Sequence, residues 1–433
     1  MRETTLPRRF SPCSDVIPIR SHRHDRSSLP AGGHTLSPEV RLVLCSAGGP
    51  ETDDAIAALS ARVTDWPRLI ALSVSEGAQP ALGKRLRAVS APIPDDARRA
   101  FEHLERAASF RQHYLHSRMI DALRLLSDAA IPVVLLKGAA LVQTTYESVL
   151  DRPMSDVDLL VHADQADVAQ SILRGGGWEP RYDPKFNDFY GTMHHLPPLV
   201  DARARTLTVG LELHTSIVQC DRDPFTFEID RIWDAASPAP GLPTGTLVPS
   251  LQHRLLHCCV HFAWSHKLSK GAWRSCRDVS AMLREQSIDW DEFIALVRDA
   301  RAAVPCYWAL RLASSLAGAP VPASVLRALR PRRLGPFLDM LERHFIHTIT
   351  ATERACPSDR LISAIWTLAF KPERDVHGNE PTWRGEERAW QLLHGPEKAV
   401  KQTGSPRRAA SPAAWLRYLG SVTGMRTSPR PAA

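Results

Sequence analysis

The chain has no run of about 20 apolar residues, the length a bilayer-spanning helix requires. Its nearest approach, Leu361–Phe370, is too short, so no membrane span is expected. The opening MRETTLPRRFSPCSD lacks the apolar centre of a secretory leader, and none is expected. The eight cysteines fall without metal-site spacing, and Cys258 and Cys259 are adjacent within a helical pattern. Reduced thiols in a cytoplasmic protein are the economical expectation. The ends are short of acid. Residues 1–36 carry six arginines against Glu3, Asp15 and Asp25, and residues 401–433 carry Lys401, Arg407, Arg408, Arg417, Arg426 and Arg430 with none. The ends therefore outweigh the total of +7, and the body between them is slightly acidic. This charge placement disfavours nucleic acid as a partner of the folded part. The tails read either as solvated, disordered segments or as contacts for a weakly bound acidic partner or nucleic acid.

What is present is organised around Ile131–Val161, IPVVLLKGAALVQTTYESVLDRPMSDVDLLV. The apolar run Val133–Leu136 has the length of a buried strand. Lys137-Gly138 follows at once, and Ala139–Tyr146 reads as a helix leaving that strand. A break at Asp151-Arg152-Pro153 leads to a second strand, Ser155–Val161. Side chains alternate along a strand, so Asp156 and Asp158 project from one face. Two carboxylates that close repel, and a divalent cation is the usual remedy; hard oxygens suit magnesium.

Further along, Ala163–Arg174 reads as a helix ending in Gly175-Gly176-Gly177. Because this glycine run follows a helix rather than opening one, it reads as a C-cap and turn, not a phosphate loop. Residues 178–206 look like a loop-rich hairpin over the site, with Tyr182, Asp183, Asn187, His194 and His195. The two histidines are either surface residues or contacts to substrate or phosphate. In Thr206–His214, Leu207, Val209, Leu211 and Leu213 alternate with Thr208, Gly210, Glu212 and His214, the pattern of a half-buried strand. Glu212 is the natural third carboxylate, although a glutamate on an exposed strand face is ordinary. His253, His257 and His261 recur along one face of a helix. The glutamate of a zinc-binding His-Glu-x-x-His helix is missing, so packing against Asp278 or the cleft is the expectation for them.

The segment LLKG…Y…RPMSDVDLLV resembles the polymerase-β type of nucleotidyltransferase, in which strand, glycine turn and helix precede an Asp-x-Asp strand. More narrowly it is similar to an uncharacterised bacterial branch, the NTP_transf_5 group, where Lys-Gly stands in place of Gly-Ser. The likeness runs from about Trp66 to about Pro322, sharpest in the Lys-Gly and Asp-x-Asp blocks. A Glu-x-His closes the corresponding strand in that branch, which supports Glu212 and places His214 beside it. Two features depart from the wider pattern: Ala139 and Ala140 supply no hydroxyl after Gly138, and the gap from Gly138 to Asp156 is long.

The resemblance implies an α+β fold, a polymerase-β-like nucleotidyltransferase core with a small mixed sheet flanked by helical regions. The expected divisions are a disordered tail (1–36), an N-terminal helical region (37–130), the core (131–235), a C-terminal helical region (236–400) and a basic, mostly disordered tail (401–433). Asp156, Asp158 and Glu212 would bind two magnesium ions. Lys137 and Gly138 would meet the phosphates of a nucleoside triphosphate such as ATP. Arg152 would touch the triphosphate or Asp156, or form a structural ion pair. His195 and His214 are candidate substrate contacts. The implied activity moves a nucleoside monophosphate to a hydroxyl of a small molecule, peptide or protein. The alternative is a non-catalytic nucleotide-binding or regulatory module of the same fold.

Overall fold

The structure, a computed structural model, describes residues 36–181, 190, 193–204, 207–218, 224–269, 271–285, 287–332, 334–350, 356–370 and 411–424. The basic stretch 1–35, together with Tyr182, Asp183 and Asn187, lies outside the described residues.

Four short helices come first: α1 (Pro38–Cys45), α2 (Asp53–Ser60), α3 (Trp66–Glu76) and α4 (Gln79–Ala88). The long helix α5 (Asp95–Asp128) follows. Its N-cap is Pro94. Asp95 and Asp96 lie in the first turn, where carboxylates complement the helix dipole. The α/β part contains β1 (Val133–Leu135), α6 (Lys137–Thr144), β2 (Asp156–Leu160), α7 (Ala166–Gly175), β3 (Trp178–Pro180), β4 (Leu199–Asp201), β5 (Gly210–His214), α8 (Ile229–Asp234), β6 (Ser237–Pro238) and β7 (Thr246–Val248). Gly176 caps α7 and Gly177 turns the chain at φ +91°, so the glycine run ends a helix.

The seven strands form one mixed sheet in the order β3-β4-β5-β2-β1-β7-β6. β2 lies antiparallel to β1 and parallel to β5, while β7 adds to the other side of β1 in parallel. The boundary expected at 235/236 therefore falls inside the sheet. β6 and β7 are too short to carry a periodic signal and are recruited by pairing. The strand expected over 206–214 begins only at Gly210, because its partner β2 begins opposite it, at Asp156.

The pleat sorts the side chains. Val133, Leu135, Val157, Leu159, Leu211 and Leu213 pack on one face with Leu115, Met119, Leu123 and Leu126 of α5. On the other face Val134, Leu136 and Leu160 meet Ile217 and Ile232. Asp156, Asp158, Glu212 and His214 share the parity of this second face.

The remaining helices are α9 (Leu251–Val260), continued by a π-helical turn His261–Ser265, then α10 (Ala272–Glu285), α11 (Trp290–Asp299), α12 (Ala303–Ala317), α13 (Ala323–Leu329), α14 (Leu338–Thr348), α15 (Asp359–Phe370) and α16 (Pro412–Thr423). Helices α1–α4 and α9–α12 bury their apolar stripes in one common core, so the two helical regions of the sequence make a single body. Helix α5 spans both units, with Ala97 and Phe101 in this core and Leu115–Leu126 under the sheet. The basic tail holds a docked helix: Tyr418 of α16 is buried and its hydroxyl lies 2.6 Å from His344 Nδ1 of α14. Trp415, Tyr418 and Val422 give α16 an apolar face amid the surrounding arginines.

Trp273 of α10 joins the two halves of the helical body. It is wholly buried, and its indole N–H donates to Ser46 Oγ at 3.0 Å, just beyond α1. Replacing a buried tryptophan by alanine removes a large apolar surface and leaves a void, so Trp273→Ala should cost about 3–5 kcal/mol in urea denaturation. A loss below ~1 kcal/mol would mean that the N-terminal helices do not depend on this core.

Candidate active site

The site is built where β1 runs into α6. Leu136 is extended and its N–H donates to the carbonyl of Asp158 at 3.0 Å. Lys137 then turns the chain at φ +45°, left-handed backbone that a non-glycine residue adopts at a cost of roughly 1–2 kcal/mol. Its Nζ lies 2.8 Å from Asp158 Oδ1, so side chain and neighbouring backbone fix the turn on the same aspartate. Gly138 serves a different need. A Cβ there would stand 2.9 Å from Met154 Cγ and 3.3 Å from Arg152 Nη1, too close for any larger residue without rearrangement. The turn is left-handed at lysine, and the glycine provides clearance.

Parallel pairing places Asp158 opposite Glu212 and Asp156 opposite Gly210. Carboxylate oxygens of Asp158 and Glu212 and a ring nitrogen of His214 lie within 4.8 Å of one another. His214 Nε2 is 2.9 Å from Asp158 Oδ1 and 3.5 Å from Glu212 Oε2. Asp156 stands one pleat away on the same strand face and accepts from Ser155 Oγ at 2.9 Å. The tightest trio thus includes His214, which is fully buried and does not line the cleft.

The charges explain each other. Burial and the neighbouring Asp158 and Glu212 push the Asp156 carboxyl above its ordinary value. Burial also penalises the Asp158 carboxylate, but Lys137 and His214 outweigh it and hold the group far below the usual range. For Glu212, burial is overcome by the His214 hydrogen bond, and its pKa falls. Burial and Lys137 work against a charged His214, yet its bonds to Asp158 and Glu212 raise its pKa. Lys137 pays for burial and is raised by Asp158, Glu212 and Asp156.

These residues suit a hard divalent cation. Lys137 and His214 both approach the same oxygen, Asp158 Oδ1. The second Asp158 oxygen takes no hydrogen bond among the described residues. Asp156 and the outer side of Glu212 open onto the cleft with negative charge that one lysine does not balance. Carboxylate oxygens favour a hard cation over a soft one.

The cleft in front of the carboxylates encloses about 300 Å³. Lys137, Gly138, Asp156, Asp158 and Glu212 line one wall, while His253, Arg254, His257, His261 and His266 line the helical wall. The π-helical turn begins at His261 and widens the helix where it faces the cleft. Among the described residues His253, His257 and His261 do not converge on a metal-sized point. Asp278, expected as a partner for them, is taken by others. Arg152 Nε donates to both its oxygens at 2.7 and 2.9 Å, and the Tyr146 hydroxyl donates at 2.8 Å. Arg152 is buried in this ion pair at the cleft floor.

His194 and His195 are half-buried behind the carboxylates, with ring centroids 5.4 Å from that of His214, and neither lines the cleft. The His194 carbonyl accepts from Thr215 N at 3.0 Å and from Ser216 N at 3.2 Å, which ties this segment to the end of β5. Sequence reasoning missed Gln112 and Arg111 of α5. Gln112 is buried, receives Met154 N–H at 2.7 Å and donates back to the Met154 carbonyl at 3.0 Å. Arg111 donates to the same carbonyl at 2.6 Å. Together they set the entry of β2 two residues before Asp156. A glutamine on the buried stripe of an otherwise amphipathic helix was the available signal.

A protein-family model described as an uncharacterised nucleotidyltransferase matches residues 62–318. No curated protein and no solved structure matches the chain.

Two outcomes follow from the buried charges. Removing one partner of a buried ion pair strands the other, so Arg152→Leu and Asp278→Leu should each cost about 3–5 kcal/mol, and the double variant clearly less than their sum. Additive losses in a double-mutant cycle would remove the structural role of the pair. Burial, with Lys137 and His214 nearby, holds His257 down to about 3. An unfolded histidine takes up its proton near pH 6.5, so this group's stabilisation is complete above that pH and is lost as pH falls toward about 3. Chemical denaturation at pH 7 and 4.5 should show a smaller acid-induced loss for His257→Asn than for the parent; an unchanged loss would rule the contribution out.

Proposed function

The chain belongs to the uncharacterised nucleotidyltransferase family, and from that premise we propose that its cleft transfers a nucleoside monophosphate from a nucleoside triphosphate to a hydroxyl of a small molecule, peptide or protein. The observation that carries this reading is the convergence of Asp156, Asp158 and Glu212 on one face of two register-matched strands at the cleft wall.

In the reaction the acceptor oxygen forms a bond to the α-phosphorus while the bond from that phosphorus to the bridging oxygen of the β-phosphate breaks. Pyrophosphate leaves with the electron pair. Glu212 would favour deprotonation of the acceptor hydroxyl, with His214 holding its carboxylate in position. Magnesium, two ions on the reading of three carboxylates, would be held by Asp156, Asp158 and Glu212 and would neutralise charge on the entering and leaving oxygens. Lys137 keeps Asp158 oriented and ionised, and supplies a positive charge at the phosphate end of the α6 turn. Gly138 lets that turn close against Met154. Arg152 anchors the β2 approach to α10 through Asp278 and so acts on the nucleotide only by positioning. His195 packs against His214 and supports it in the same indirect way.

The test is incubation with α-labelled ATP, CTP, GTP or UTP, magnesium and cell extract, followed by a search for labelled acceptor. Transfer should require magnesium. In Asp158→Asn it should fall by more than the ~10–100-fold that loss of an outer-shell partner costs. Magnesium-dependent nucleotide binding without transfer would turn the reading to a regulatory module, and no such binding would remove the site.

A further inference from the structure

Among the described residues, four long cationic side chains line the cleft: Lys137, Arg152, Arg254 and Arg274. Three are engaged within the protein. Lys137 holds Asp158, Arg152 holds Asp278, and Arg254 donates to the hydroxyls of Thr144 and Thr145. Arg274 alone of the four makes no hydrogen bond or ion pair among the described residues. It lies on α10, one turn before Asp278; Ser275 of the same helix, and Gly271 just before it, also line the cleft.

The surroundings leave the guanidinium room without giving it a partner. Gly77, left-handed at the end of α3, stands where any Cβ would come within 3.2 Å of Arg274 Nη2. The buried Glu76 beside it takes the backbone N–H of Trp273 at 3.5 Å and no bond from Arg274. Burial and the charge of Arg152 lower the Arg274 pKa, while Asp278, Asp156 and Glu76 act on it only from a distance. A half-buried guanidinium of this kind lacks an oxyanion. Its planar fork of donors matches phosphate oxygens in pairs.

We propose that Arg274 binds the outer phosphates of the triphosphate, and so the pyrophosphate that leaves. The inference rests on the nucleotidyltransferase reading of the same cleft. The reacting α-phosphate must lie by the carboxylates, so the β- and γ-phosphates extend from that wall, and Arg274 is the uncommitted cation among the described residues of the cleft. A simple carboxylate ligand fits less well, because Asp156, Asp158 and Glu212 already face the space and would repel it. A triphosphate arrives with its own cations at that end and has oxygens to spare at the other.

The test is calorimetric binding of ATP, AMP and inorganic tripolyphosphate in magnesium to the full chain, to Arg274→Gln and to Arg274→Lys. Arg274→Gln removes the charge while filling the space. Since it breaks no internal bond, its melting temperature should match or exceed that of the parent. It should weaken ATP and tripolyphosphate by roughly 10–100-fold, the loss of a charge-assisted pair of hydrogen bonds, and leave AMP within error. Arg274→Lys should recover part of the loss. Equal weakening of ATP and AMP, or no weakening of either polyphosphate, would overturn the role of Arg274. If the parent binds ATP and Asp158→Asn does not, that failure leaves the nucleotidyltransferase reading standing. A parent that binds neither ATP nor tripolyphosphate would sink both.

Discussion

Three carboxylates on one face of two adjacent strands repel one another, and much of the surrounding architecture counters that repulsion. The parallel register of β2 and β5 sets the problem by placing Asp158 opposite Glu212. Lys137 and His214 answer it by converging on one oxygen of Asp158. The left-handed turn at Lys137 belongs to the same solution, since it brings the ammonium back over the strand its own backbone has just paired with. Asp156 is left with neighbouring carboxylates and one hydroxyl. This imbalance is what suits the site to an added cation.

Rigidity of that arrangement comes from outside the sheet. Gln112 and Arg111 of α5 fix the Met154 backbone, and the Arg152–Asp278 pair ties the same loop to α10. The loop between α6 and β2 is long, yet it is held at its exit from two directions. Its length is therefore no obstacle to placing Asp156 and Asp158. The helical body supplies the second cleft wall, and it can do so because α1–α4 and α9–α12 share one core around Trp273.

Among the described residues, Lys137, Arg152 and Arg254 are cleft cations bonded within the protein, and Arg274 makes no such bond. Burial makes an unpaired arginine costly, so a side chain in the position of Arg274 persists most easily where a ligand completes it. Arg152 shows the contrast: it lines the same cleft, but it has an acid partner 126 residues away and is enclosed by it.

Local pattern was enough for the strand–Lys-Gly–helix–strand order, for the shared face of Asp156 and Asp158, and for Glu212 on the polar side of a neighbouring strand. Each of these depends on periods of two or 3.6 residues, which neighbouring residues dictate. The glycine run after α7 was legible for the same reason. What the chain pattern could not assign was partnership across distance. Whether Arg152 meets a nucleotide or Asp278, whether His214 faces substrate or lies behind Asp158, and whether β7 joins the sheet all depend on segments far apart in sequence. The same holds for the docking of α16: a short helix over 413–419 is legible in the sequence, but the surface that α14 offers its apolar face is not. Backbone alternation is a local property of the sequence; the choice of which charge neutralises which is made only when the fold closes and burial sets the cost of leaving one alone.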